Sequence, residues 1–247
     1  MNDLRFAFRQ LRKAPAFTVT ALATVAICLG ANLAILAVIK SILLRPLPFP
    51  QSDRLVTIFN TYPKAGVEND GSSFTNYYER RSNIPALTNL SIYLERGEAV
   101  GDPGATEQLE VMRISPEFFT TLGVEPAMGR SFSEEEAAVA ENNGAVILTD
   151  AYWRQRLDAD PNILGRDILI NGIARKVVGV MPPDFRFLSS EARLFLPTRT
   201  RPEDRAPSQR HSGGGGTHMI ARLKPGATIA EAQSQIDAHN AAVEQDN

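Results

Sequence analysis

The chain has 247 residues, 43% of them hydrophobic and 22% charged, with a formal net charge of -2. This composition supports a packed core, excludes a disordered chain, and gives no reason to expect nucleic acid as a partner, which usually meets a basic face. Cys28 is the single cysteine and lies inside the longest apolar run, so the remaining chain has no thiol for a disulfide, thiolate catalysis or a zinc-thiolate site.

The first feature in chain order is a short amphipathic segment. Leu4, Phe8 and Leu11 recur at helical spacing beside a row of Arg5, Arg9 and Arg12, with Lys13 following. Residues 1–13 therefore read as a helix on the cytoplasmic face of a membrane. These seven side chains are the candidate docking element for a cytoplasmic partner, with plain lipid-surface anchoring as the alternative. From Ala14 through Ile39 no residue is charged, a stretch of 26. As a helix it reaches roughly 39 Å, against a hydrocarbon core of about 30 Å.

Residues 14–44 are thus expected to form one transmembrane helix, and no small-residue cleavage site marks the run as a signal peptide. Asn32 offers that span one hydrogen bond to a neighbouring helix, or is simply tolerated there. The basic cluster before the span keeps the N-terminus cytoplasmic. Beyond residue 45 the balance reverses to 20 basic and 27 acidic residues, on the periplasmic or outer side of a bacterial inner membrane.

Pro46, Pro48 and Pro50 force an extended exit from the helix. Leu55–Phe59 is a β-rich run, Thr61–Ser73 a polar loop, and the stretch around Tyr77–Arg80 a short helix. Leu90–Leu94 and Gln108–Ile114 read as strands separated by the turn at Gly101–Gly104. Ser115-Pro116 signals a helix start, with Ser115 as N-cap and Gly123 closing the end. Ser133–Glu136 has capping-box spacing, Ala145–Leu148 is a buried strand, and Ala151–Leu157 a helix carrying Trp153. Asp167–Ile170 and Ala174–Met181 flank an Asn171-Gly172 hairpin turn. Arg193–Leu196 and His218–Leu223 are further strands around a polar loop, Thr200–Thr217, whose glycine run, 213–216, reads as flexible. A second capping box, Thr228–Glu231, opens a helix with Ile229, Ala232, Ile236 and Val243 on one side.

Catalytic signals are missing from this pattern. The glycine run is followed by Thr217-His218 rather than the Lys-Ser/Thr of a phosphate loop. His211, His218 and His239 have no acidic residue at ligand spacing, so no metal site is expected. Glu134–Glu136 suit a first helical turn, and Asp150 with Arg154 suits a helical ion pair. No serine stands in a nucleophile elbow. Tyr77, Tyr78, Phe118, Phe119 and Trp153 are expected in the core rather than around a ligand.

Several blocks taken together carry a resemblance. Ser115–Phe119 with Leu122–Val124, Gly129-Arg130, Trp153–Leu157 leading into Asp160–Arg166, Ile170–Gly172, Val178–Phe187 and Ala221–Thr228 stand in order. The Asp3–Arg5 to Pro15–Phe17 segment and the Arg45–Pro48 exit match as well. In these the chain resembles the permease subunits of macrolide-exporter-type ABC transporters through their MacB-like periplasmic core domain.

The resemblance implies an α+β fold, with one N-terminal transmembrane helix followed by a two-lobed periplasmic domain over residues 46–247. It also implies a non-enzymatic role, with motion relayed from ATP hydrolysis to export or other periplasmic work. The expected partners are an ABC ATPase subunit that binds the ATP, a second permease copy or homodimer, and a periplasmic adaptor or outer-membrane component. This chain itself is expected to hold no cofactor. Family members continue into a closing strand and three more membrane helices, so the chain reads as an N-terminal portion. The alternative is a single-pass, membrane-anchored binding or sensor protein.

Overall fold

The computed structural model describes residues 12–42, 47–62, 66–137, 144–211 and 216–245. The chain forms two compact units, one ending at Leu47 and the other spanning Pro48–Asn247. The expected amphipathic helix falls outside the described residues except for Arg12 and Lys13, which are helical and exposed. The glycine run lies outside them apart from Gly216.

Helix α1 spans Pro15–Ile42, with proline in the first turn, where its missing N–H costs nothing. Its stretch Pro15–Ala37 has a mean hydropathy of 2.2 with none of it buried, and Phe17 and Ile27 are 68% and 71% exposed. A helix apolar on all sides fits lipid rather than water. Thr18, Thr20 and Thr24 donate to the carbonyls of Ala14, Ala16 and Thr20, and the Asn32 amide donates to Cys28 at 2.9 Å. These four polar side chains are therefore satisfied within the helix, as hydrocarbon demands, and Asn32 bonds to its own helix.

The second unit holds β1 (Leu55–Ile58), β2 (Asn60–Tyr62), β3 (Val67–Asp70), α2 (Phe74–Arg80), β4 (Leu87–Val100), β5 (Glu107–Ile114), α3 (Phe118–Leu122), β6 (Met128–Gly129) and α4 (Glu134–Ala137). It continues with β7 (Ala145–Leu148), α5 (Asp150–Arg156), β8 (Asp167–Ile170), β9 (Ile173–Val180), β10 (Leu194–Pro197), β11 (Thr217–Leu223) and α6 (Ile229–Gln245). Strand order β1-β11-β4-β5-β10-β7-β9-β6 makes one sheet, and β8 pairs with both β9 and β4. The ring β4-β5-β10-β7-β9-β8 is therefore a closed six-stranded barrel. It is sealed at Val100 opposite Ile170, with the Asn171 amide donating to Ala99 O at 2.7 Å and the Gly101 amide to Leu169 O at 3.0 Å.

Alternation along the strands decides which side chains fill that barrel. Val111, Val146, Leu148, Val177, Leu194 and Leu196 point inward. Met112, Ile114, Ala145, Ile147 and Phe195 point outward into a second cluster under α3, packed with Phe118, Phe119, Phe185 and Phe187. Both faces of β7 are thus buried, which is why its sequence is continuously apolar. A third cluster lies where β11 and the first half of β4 are covered by α2 and α6, around Tyr77, Leu90, Ile92, Met219 and Ile236. The two lobes share β4: its residues 87–94 pair with β11 and 93–100 with β5.

Three local readings differ from expectation. β4 has 14 residues, far longer than Leu90–Leu94, because it has a different partner along each half. α3 starts at Phe118 rather than at Pro116, and the Ser115 hydroxyl accepts the Ile92 amide at 3.2 Å instead of capping the helix. The loop 61–73 contains most of a small hairpin, β2 with β3. Gly123 does close α3, at φ 72°, a conformation glycine adopts without strain.

Candidate functional site

At the start of the second unit, residues 49–54 are held by a compact set of bonds, and these form the candidate coupling site. Phe49 is 7% exposed and packs against Phe185 and Phe187 at centroid distances of 6.2 and 6.3 Å. Gln51 turns the chain at φ 49°, and Ser52–Arg54 forms one 3₁₀ turn. Arg54 Nε donates to Leu223 O at 2.8 Å.

From β11, Arg222 reaches back, its Nη1 donating to Gln51 O at 3.0 Å and its Nε to Thr121 O in α3 at 2.7 Å. One guanidinium thus joins the post-span turn, the sheet and α3. Arg222 is 7% exposed, and burial, followed by the nearby Arg54 charge, pulls its pKa down against the opposing effect of Asp53. Carbonyl oxygens rather than a carboxylate hold this charge, so the bonds fix geometry at an energetic cost.

A second set of bonds continues from α2 across to α3 and α4. The Tyr77 hydroxyl donates to Glu117 Oε2 at 3.0 Å, and Arg81, just after α2, pairs with both Glu117 and Glu134. Burial raises the Glu117 carboxyl above the usual range, with Arg81 and the Tyr77 hydroxyl acting against it. The Tyr77 phenol is pushed well up by burial and then by the Glu117 charge. Two carboxylates from different helices share one guanidinium here, which ties the α2 lobe to the α3 side of the barrel.

Tyr77, Phe118 and Phe119 are core residues, at most 2% exposed, and Trp153 is half-buried with its indole N–H donating to Asp160 O at 3.0 Å. The Ser133–Glu136 capping box is formed, and Arg154 pairs with Asp150 at 2.8 Å. His218 stacks near Tyr93 and His211 near Tyr62, while His239 lies on α6, so the three histidines stand on separate elements. Among the described residues no group of His, Cys, Asp and Glu could hold a metal ion.

A polar cleft of about 130 Å³ lies between β2, α2 and α6, lined by Tyr62, Arg80, Arg210 and Asn240. Arg80 there donates to the side-chain oxygens of Asn60 and Asn240. Arg210 pairs with Glu79 at 2.6 Å. Of the candidate docking residues, Arg12 and Lys13 precede α1 and are exposed, and Leu4, Arg5, Phe8, Arg9 and Leu11 lie outside the described residues. Sequence reasoning missed Arg222, although a charge between Ala221 and Leu223 in an otherwise apolar strand was a usable signal.

The described residues thus comprise one long apolar helix and, in the second unit, a barrel-and-sheet domain. The family model of the MacB-like periplasmic core domain matches residues 18–239. The chain belongs to this family, a periplasmic domain of ABC transporter permeases.

Its fold is similar to the periplasmic region of MacB from Actinobacillus actinomycetemcomitans, at 14% identity and TM-score 0.53, over 76% of this chain and 85% of that one. It is also similar to a domain of a protein described as a permease from Porphyromonas gingivalis, at 16% identity and TM-score 0.56, over 79% and 84%. The extracellular domain of the noncanonic ABC-type transporter YknZ from Gram-positive bacteria aligns at 10% identity and TM-score 0.50, over 75% and 95%. No curated protein matches the sequence.

Proposed function

We propose that this chain is the N-terminal portion of an ABC transporter permease whose domain, residues 46–247, relays motion from a partner ATPase to export or other periplasmic work. The observation that carries this reading is the Arg222 linkage. Along the chain the span leads to Phe49 and then to Gln51, and Gln51 is held through one guanidinium to both the central sheet and α3. A mechanical relay needs rigid lobes joined at defined points rather than an acid-base pair.

In this reading the N-terminus is cytoplasmic, and Leu4 to Lys13 meet the membrane surface or the ATPase subunit, which binds the ATP. A second permease copy and a periplasmic adaptor or outer-membrane component complete the assembly. Membership in the permease family favours this over a single-pass anchored binding or sensor protein.

The test uses the intact transporter in membranes, with an environment-sensitive fluorophore on Asp102→Cys in the exposed turn after β4. ATP should change its emission in the parent, and Arg222→Met should reduce that response at least several-fold while the ATPase subunit still binds nucleotide. A parent response absent in every nucleotide state, or one unchanged by Arg222→Met, contradicts the relay.

A further inference from the structure

The α2 lobe holds a buried cation in the wall of a cleft, and the relay does not use it. Arg80, the last residue of α2, is 4% exposed. Its guanidinium lies between two other elements: Nη1 and Nη2 donate to Asn60 Oδ1 on β2 at 3.1 Å, and Nη2 donates to Asn240 Oδ1 on α6 at 3.2 Å. All three residues line the polar cleft of about 130 Å³, so the guanidinium forms part of its wall.

What Arg80 lacks is an anion. Among the described residues its acceptors are those two neutral amide oxygens, and its Nε is buried with no partner. Burial pulls its pKa down against the effects of Glu79, Tyr62 and Asp237. The carboxylates on the cleft are engaged elsewhere, Glu79 with Arg210 at 2.6 Å and Asp237 as acceptor of the Gln233 amide at 2.8 Å. A cation buried on neutral acceptors is costly, and a neutral amide would bridge β2 to α6 as well.

Two further donors on the same cleft are unused. For the described residues the Asn240 side chain serves only as an acceptor, which leaves its amide N–H groups to donate. The Tyr62 ring packs near His211, and its hydroxyl bonds to none of the described residues. Guanidinium, amide and phenol from three elements thus border a space that suits a few waters or one small polar group. Tyr62 and Asn240 are half-buried, which leaves the mouth open for the rest of a larger molecule.

A planar carboxylate accepts side by side from a guanidinium fork. The charges on the cleft balance, Arg80 and Arg210 against Glu79 and Asp237. One negative charge therefore matches the one cation without an ionic partner, whereas a doubly charged phosphate or sulfate meets added repulsion from both carboxylates.

We infer that the cleft between β2, α2 and α6 binds one carboxylate group, on a small organic acid or a peptide terminus, with Arg80 as its counter-charge and Asn240 and Tyr62 as further donors. This inference is independent of the relay reading, since it rests on the α2 lobe alone and is tested without nucleotide or partner.

The experiment is calorimetric titration of the purified, detergent-solubilised chain with sodium acetate in a chloride buffer of constant ionic strength, alongside thermal unfolding. One equivalent should bind, and a hundredfold excess over the dissociation constant should raise Tm by about 5–10 °C. Asn240→Asp puts a carboxylate oxygen where the amide oxygen already meets Arg80. It should weaken acetate binding at least tenfold and, without acetate, keep or raise the parent Tm. Arg80→Met should also weaken binding at least tenfold, and if that variant does not fold, Asn240→Asp decides alone. Arg154→Gln, on α5 in the barrel lobe, should bind as the parent does.

N-acetylalanine and its neutral amide, titrated in parallel, separate the sources. Tighter binding of N-acetylalanine than of acetate identifies a peptide terminus, and the reverse identifies a free organic acid. No binding of either acid, equal binding of the neutral amide, or tighter binding of sulfate than of acetate would each overturn the inference. So would undiminished acetate binding by Asn240→Asp, or an Asn240→Asp protein less stable than the parent without acetate.

Discussion

At the residue scale, buried Arg222 and half-buried Glu117 anchor the two sets of bonds, and each yields a measurable expectation. Arg222 is held by backbone carbonyls of Gln51 and Thr121, and lysine cannot span both with a single ammonium. Arg222→Lys should cost about 2–3 kcal/mol in urea unfolding, by leaving at least one buried carbonyl unsatisfied; a loss below about 0.5 kcal/mol would show that the bonds carry little.

Glu117 gives a pH signature. Its carboxyl is raised above the usual 4.5 by burial, so over the interval above that value the folded state holds a proton the unfolded chain has released. The sign follows: this contribution is complete below the ordinary glutamate range and is lost as pH rises through the folded value. Stability of the parent should therefore decline from about pH 4.5 upward more steeply than that of Glu117→Gln, and parallel curves would deny Glu117 this role. The sequence offered Glu117 as part of a helix start, without sign of its partners. Tyr77 and Arg81 reach it from 40 and 36 positions before, distances in chain that local spacing cannot encode.

At the scale of elements, the strand and helix types were readable because each has a local cause. The Asn171-Gly172 hairpin turn formed as its positive backbone angles required, at φ 51° and 73°. The Ala145–Leu148 run is buried on both faces, as its unbroken apolar sequence implies. What stayed hidden was closure. The barrel is sealed by a single ladder pair between Val100 and Ile170, and nothing in either strand's own pattern distinguishes an edge from a seam. The same limit explains the length of β4, whose second half alternates less clearly because Arg96 and Gly97 are exposed.

Glycine marks one further joint. Gly129 sits at φ 77° with its Cβ position inside contact distance of Val178 O, so β6 can pair with β9 only if residue 129 has no side chain. Gly129→Ala should cost more than about 2 kcal/mol by combining left-handed strain with a backbone clash. Phe119→Ala, at 0% exposure in the cluster beneath α3, should cost about 3–5 kcal/mol. Chemical denaturation measures both, and a tolerated Gly129→Ala would mean that the β6–β9 contact is dispensable.

For the whole molecule, the sequence conveyed the plan: an apolar helix, a proline-rich exit and an α+β domain of the MacB-like periplasmic core family. It did not convey how the two lobes are joined. That joint is the shared strand β4 together with the bonds of Arg222 and Arg81, and such charged residues become visible as connectors only after the strands are placed. The relay needs the second unit to lie outside the cytoplasm while the basic end of α1 lies within it, since ATP is hydrolysed on one side and the work is done on the other.

Impermeant maleimide labelling of intact cells tests that arrangement most directly, after Cys28→Ser removes the native thiol. With single cysteines introduced as Lys13→Cys or Asp102→Cys, the account predicts that Asp102→Cys reacts in intact cells and Lys13→Cys reacts only once the membrane is opened. The reverse pattern would contradict it.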